Sequence, residues 1–314
     1  MIVTKVLGIF IIIFVGYAAN KLGWLPAESS KYLSKIVINI ASPCLLIVAM
    51  AGKEKNPETI KTIGILFVVA LVGYAIAWLI SVGFCKILKI SRFDSGVYKN
   101  FLIFSNNGFM GFPLALAIFG EEGMFFMVIM FSLSPLFVYS LGIVTIKRSA
   151  GQMGNGEKFQ FSKMIKNMIT LPLVATIVGL VIYFCEIPIQ EEVYNTLNSI
   201  GAMMTPLCMI VIGIQLTESK IKDVIFNKNL LLMSLVRLAI LPIIFYLITL
   251  PFGFSNLITG IIVLNFLLPA AAVPVIIAEE FGGNAKLAAE GTFLSTLLSL
   301  VTVPIATILL GMLY

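Results

Sequence analysis

Histidine is absent from the 314-residue chain. That removes imidazole metal ligands, histidine acid–base chemistry and histidine-ligated haem. Aspartate is nearly absent too: only Asp94 and Asp223 occur, both between apolar runs. Charged residues make up 11% of the chain, against roughly 25% in a soluble domain. With 60% hydrophobic residues and a mean hydropathy of +1.07, the chain lacks the polar surface to stay in water. It reads as an integral membrane protein, with the lipid bilayer as its surroundings. The four cysteines, Cys44, Cys85, Cys185 and Cys208, show no CxxC spacing. They read as small buried hydrophobes, not as a disulfide framework or a metal site. A G-x-x-x-x-G-K phosphate loop is also lacking. These absences speak against a hydrolase or an ATPase. No enzyme and no resident cofactor are expected, beyond a coupling ion, Na⁺ or H⁺.

What is present is a series of apolar runs, each near the roughly 20 residues that cross a bilayer as a helix. Ten are predicted, at roughly 3–21, 33–51, 60–85, 97–119, 123–146, 166–185, 194–216, 228–250, 256–279 and 287–312. The first is expected to be a span and not a cleaved signal: Lys5 makes a thin basic region and no A-x-A site follows. Sixteen Lys and Arg fall on the odd-numbered loops and four on the other side, with Arg237 inside a span. The positive-inside rule then puts both termini outside the cytoplasmic membrane and the basic 147–166 segment in the cytoplasm. That segment reads as an orientation signal and linker, with no nucleic-acid partner.

The chain divides at this linker. Ser42-Pro43 and Thr205-Pro206 open matching runs, and Pro43 and Pro206 lie 163 positions apart, as do Gly16 and Gly179. Similar composition alone could produce some likeness, but the shared offset suggests duplication. The expected organisation is a first five-helix repeat over 1–150, a cytoplasmic linker over 151–165 and a second repeat over 166–314. Five spans is an odd number, so the second repeat enters from the opposite face. The fold class is therefore all-α and integral to the membrane: ten helices in two inverted repeats.

Spans four and nine carry breaks at corresponding places. Span four contains Ser105-Asn106-Asn107-Gly108, and span nine contains Asn265, Pro269 and Pro274. Proline removes a hydrogen bond and glycine costs about 1 kcal/mol inside a helix. In hydrocarbon the freed backbone groups cost several kcal/mol each unless something satisfies them. Matched breaks are therefore the best pointer to a mid-membrane binding site. Asn106, Asn107, Gly108, Asn265 and Pro269 are its candidates, with Asn39 and Thr205 beside the kinks at Pro43 and Pro206. Single kinks of this kind often serve only helix packing.

Arg237 lies mid-run in "LLLMSLVRLAILPIIF". Either it faces the interior, where it offsets an anionic solute or pairs with a carboxylate, or it snorkels to the cytoplasmic side. Glu280 and Glu290 flank the last loop, and Glu290 precedes a hydroxyl face of Thr292, Ser295, Thr296 and Ser299. Ser132 and Ser134 are predicted to approach Asn106. These oxygens, with Ser105, could ligate Na⁺, and Glu280 or Glu290 could carry a proton. They could equally be helix glue and solvated loop ends.

The stretches "NNGFMGFPLALAIFG", "LLPAAAVPVIIAEEF" and "LSLVTVPIATILLGML" resemble the auxin efflux carrier family of PIN-FORMED proteins and bacterial permeases. The resemblance covers essentially the whole chain. It implies a scaffold of spans 1, 2, 6 and 7 and a transport unit of spans 3–5 and 8–10 that slides as an elevator. It also implies a crossing of broken helices 4 and 9, with Asn106, Asn107 and Pro269 at the crossover. Where the plant proteins have proline, Ser105 stands here, which puts auxin in doubt as cargo. Bacterial members imply a small organic anion such as malate or malonate. A passive anion channel or uniporter, and a sodium-coupled organic-anion symporter of the bile-acid carrier type, are the alternatives. Whether the chain works alone or as a homodimer is left open.

Overall fold

The computed structural model describes residues 2–51, 53–152, 169–218 and 224–312. Most of the 151–165 linker, with Lys158, Lys163 and also Lys166, lies outside the described residues. The described residues are built from helices, with a single two-residue β-bridge. Local chemistry sets many of the helix starts. Asn56 Oδ1 accepts the Thr59 N–H at 2.7 Å, and Pro57 opens the helix Pro57–Ile87. Ser91 Oγ accepts the Asp94 N–H at 3.0 Å before the helix Arg92–Ile103. Such caps satisfy amides that the first helical turn leaves over.

In chain order the first half holds α1 (Ile2–Lys21), α2 (Ser29–Met50), α3 (Pro57–Ile87) and α4 (Arg92–Ile103). After a break come α5 (the π-turn Asn107–Gly111 and then Phe112–Phe131) and α6 (from Ser134–Phe137 to Ile143–Ser149). The second half holds α7 (Leu171–Phe184), α8 (Glu191–Ala202), α9 (Met204–Glu218) and α10 (from Lys228–Leu235 to Leu241–Thr249). It ends with α11 (Asn256–Leu267), a second break, α12 (Val273–Glu280) and α13 (Ala285–Met312). Among the described residues, six runs are long and apolar enough to cross a membrane by length and composition, and three shorter apolar helices join them. The longest, Asn107–Ser149, is no single rod. Gly120 takes φ 70° and ψ −160°, a conformation open to glycine, so the chain turns between the two predicted spans. A turn at Ser132–Leu133 further interrupts the second of them.

Three π-turns, Val37–Ala41, Asn107–Gly111 and Val236–Ile240, end two residues before Pro43, Pro113 and Pro242. A proline ring would strike the carbonyl four residues back. Widening the turn relieves that clash: Ser42, Phe112 and Leu241 donate to the carbonyls of Val37, Asn107 and Val236, five residues back. The helices group into two bodies. α1 lies along α9, while the second half of α2 packs on α7 and α8. Gly16 lies against the Ile210 backbone, and Gly179 against Met50 and the Leu46 carbonyl. In the other body α3 packs on α4, α4 on α6, α10 on α11 and α12 on α13. Phe245 of α10 stacks on Phe266 of α11 with ring centroids 3.5 Å apart.

Candidate functional site

The two breaks meet. Ser105 and Ala270 form an antiparallel bridge between the segment after α4 and the segment after α11. The Asn106 N–H donates to the Pro269 carbonyl at 2.9 Å, and the Ala271 N–H to the Phe104 carbonyl at 3.0 Å. Ser105 Oγ also donates to the Asn265 carbonyl at 2.6 Å. Two unwound segments thus satisfy each other where neither could have satisfied itself in hydrocarbon.

Side chains from two further helices finish the crossing. Arg237 of α10 is 0% exposed. Its Nε donates to the Leu268 carbonyl and its Nη1 to the Leu102 carbonyl, each at 2.9 Å, and its Nη2 donates to Ser105 Oγ. It therefore neither snorkels nor pairs with a carboxylate among the described residues; it binds one carbonyl at the C-terminal end of each broken helix. From α13, Ser295 Oγ accepts the Ala270 N–H at 3.2 Å, and Thr292 Oγ1 donates to the Ala271 carbonyl at 3.2 Å. Half of the hydroxyl face predicted on this helix is thereby committed to backbone. Ser299 donates to its own helix at Thr296 and lies 3.8 Å from Met110 Sδ.

Both acceptors and donors of the unwound segments have partners to find at the crossing. The carbonyls of Leu102, Phe104, Ser105, Asn106, Leu268, Pro269 and Ala271 all accept hydrogen bonds. The N–H groups of Gly108, Ala272 and Val273 find no acceptor among the described residues, because they open the first turns of α5 and α12. Asn106 Oδ1 caps α5 by accepting the Phe109 N–H at 3.3 Å, which leaves its Nδ2 as a donor. Acceptors are left over as well, the carbonyls of Ile103, Leu267 and Ala270 and the Oδ1 atoms of Asn107 and Asn265 among the described residues, but the free amides sit at two helix N-termini, which carry partial positive charge.

These groups border a cavity of about 470 Å³ between the two bodies. Phe104 to Phe109 with Phe112 and Phe131, several residues of α6 between Ser134 and Ile143, and several between Ala271 and Phe281 supply one wall. Val37, Ile38 and Ser42 of α2, Thr170 and Pro172 at α7, and Met204 of α9 supply the other. Exposed Glu280 stands at the mouth beside Phe281, whose ring has Lys147 Nζ 4.8 Å from its centroid. A separate polar hollow lies at Lys53, Lys55, Glu186 and Tyr194, where Lys55 pairs with Glu186 at 3.1 Å.

Of the sequence-derived candidates, Ser105, Asn106, Asn107, Gly108, Ser134 and Glu280 line the cavity. Asn107 is 2% exposed, and its Oδ1 has no partner. Asn265, Pro269 and Arg237 belong to the crossing but stand behind the wall. Asn39 is exposed elsewhere and Thr205 is half-buried outside the cavity. Ser132 donates to Ile129 of its own chain segment at 2.6 Å, and Glu290 lies 3.9 Å from Lys286. The aromatic wall of Phe104, Phe109, Phe131 and Tyr139 was not legible, since aromatic residues occur throughout the apolar runs.

The model of the membrane transport protein family, which includes the auxin efflux carriers, matches residues 1–307. The chain belongs to this family. An uncharacterized transporter of Methanothermobacter thermautotrophicus is 25% identical over 309 residues, 97% of each chain. An uncharacterized transporter of Methanocaldococcus jannaschii is 24% identical over 310 residues, 95% of each chain. Membership makes this a multi-pass membrane transport protein, and the family is one of transporters, not enzymes.

Proposed function

We propose that the protein is a secondary carrier that holds a small organic anion at the helix crossing and moves it across the cytoplasmic membrane. The observation that carries the anion is the placing of the donors: Asn106 Nδ2 and the amides of Gly108, Ala272 and Val273 border the cavity at two helix N-termini, while the carbonyls of Phe104, Ser105, Asn106 and Ala271 beside them accept hydrogen bonds within the protein. Oriented donors at two helix N-termini favour a carboxylate. The cavity's apolar remainder suits a short carbon chain.

The carrier part of the reading rests on an arrangement of ten spans in two inverted repeats. Gly16 contacts Ile210, and its repeat mate Gly179 contacts Leu46, one position from the mate of Ile210. Ser105 pairs with Ala270, two positions from its own mate. Both relations fit a two-fold axis through the crossing. The body holding the crossing then slides as an elevator against the body of α1, α2, α7, α8 and α9. Both termini stand outside, by the Lys and Arg bias.

The test is uptake into proteoliposomes over a panel of acetate, lactate, malonate, malate and succinate. Saturable flux with exchange is expected for at least one. Flux that rises linearly with concentration would mean a channel. Flux under separate Na⁺ and proton gradients then chooses among symport, proton coupling and uniport.

A further inference from the structure

We infer that Arg237 sets the charge selectivity of the crossing without touching the cargo, by neutralising the two helix C-termini that meet there. Two broken helices bring four ends to one place. Two are N-termini, of α5 and α12, and two are C-termini, of α4 and α11. Helix ends carry roughly half a charge each, positive at the N-terminus and negative at the C-terminus. Left alone, the four ends cancel, and the site would offer carbonyls and amides alike. Such a site would not prefer an anion to a cation or a neutral solute.

Arg237 removes this balance. Its donors go to Leu102 and Leu268, the carbonyls at the ends of α4 and α11, and to Ser105 between them. It is fully buried and makes no ion pair among the described residues, so its whole charge acts on the crossing. The guanidinium charge thus offsets the C-terminal ends, and the N-terminal ends are left to face the cavity. A buried cation held only by neutral groups is expensive. The anionic cargo is the counter-charge that the resting protein lacks. A guanidinium suits the task because its planar fork reaches two carbonyls and a hydroxyl at once, which an ammonium does not match.

This inference rests on the anion-carrier reading, and the experiment separates the two. Malonate uptake is measured in proteoliposomes, with malonamide, its uncharged diamide, as competitor. Wild type, Arg237→Lys, Arg237→Gln and Ser234→Asp are compared. Ser234 is buried one turn before Arg237 with its hydroxyl unpartnered, so aspartate there supplies a counter-charge while the arginine fork stays. The expected result is a ratio of malonate to malonamide affinity that falls about tenfold or more in Arg237→Gln and Ser234→Asp. In Arg237→Lys the ratio stays within about threefold of wild type, even where total uptake drops. A purely structural arginine would lower both affinities together and leave the ratio unchanged, which would overturn the inference. If Arg237→Gln does not fold, an unchanged ratio in Ser234→Asp overturns it equally. A wild type that carries none of the carboxylates sinks the carrier reading itself, and this inference with it.

Discussion

The crossing should fail in a graded way when its backbone partners are removed, and α13 allows a matched comparison. Ser295 and Ser299 lie one turn apart and both are fully buried. Each also donates to its own helix, Ser295 to Thr292 and Ser299 to Thr296. Replacing either by alanine removes the same hydroxyl volume, so packing losses are similar. They differ in one respect. Ser295 Oγ is the acceptor for the Ala270 N–H, and Ala270 is 0% exposed within the unwound segment. Ser295→Ala leaves that amide unsatisfied, at about 1–3 kcal/mol. Ser299→Ala removes a second bond to a helical carbonyl and a weak contact to Met110 sulfur, together at most about 1 kcal/mol. The expected difference is therefore about 1–2 kcal/mol. At about 2–4 °C per kcal/mol, Ser295→Ala should melt on the order of 2–8 °C below Ser299→Ala. The assay is thermal unfolding of the purified protein in detergent, followed by intrinsic fluorescence. Equal midpoints, or a lower one for Ser299→Ala, would refute the claim that α13 hydroxyls hold the unwound strand.

Three further outcomes are expected. Asn106→Asp keeps the cap on the Phe109 N–H but adds a negative charge among the donors; at about 5 Å and an effective dielectric near 20 this costs about 3 kcal/mol, so carboxylate affinity measured by uptake should fall on the order of a hundredfold. Gly213→Ala places a methyl against the Ile13 carbonyl and the Tyr17 backbone nitrogen, whereas Gly111→Ala meets the side-chain ends of Leu268, Met127 and Asn107; melting should drop by the equivalent of about 1–3 kcal/mol for the first and less for the second. Gly120→Ala has free space around the new methyl, so a loss of about 1 kcal/mol or more in the same assay isolates the positive φ of that turn.

The positions of the two breaks were legible because glycine, proline and asparagine disturb a helix by local rules. Span four opens after Ile103 and span nine after Leu267, beside the Ser105–Gly108 cluster and Pro269. The role of Arg237 was not legible. Its partners are backbone carbonyls 31 and 135 positions away, and a carbonyl leaves no mark in a sequence. The hydroxyls of α13 were found as a face but not by purpose, because periodicity locates a stripe without naming its neighbour. Asn39 went astray for a different reason. It lies inside the π-turn Val37–Ala41, where one extra residue per turn shifts the helix by roughly 100°. Val37 and Ser42, five positions apart, consequently share the cavity wall, and Asn39 faces elsewhere.

The same contacts that hold the crossing together argue against a fixed pore. The cavity ends at the Ser105–Ala270 bridge, and behind it stand Arg237, Leu102 and Leu268, all buried. The polar hollow at Lys53 and Lys55 is a separate space. Opening a channel between the two would break the hydrogen bonds from Asn106 to Pro269 and from Ala271 to Phe104, and would leave four buried polar groups unmatched. At about 1–3 kcal/mol for each group, the sum is comparable to a protein's whole net stability. Moving the whole crossing as a unit breaks none of them. The crossing is tied to α10 by Arg237 and to α13 by Thr292 and Ser295, so those helices would travel with it in the proposed motion. The facing wall, Val37, Ile38, Ser42, Thr170 and Met204, makes no hydrogen bond to the crossing among the described residues. Under the proposed elevator motion, the surface that would slip is the one across which the cargo would be exchanged.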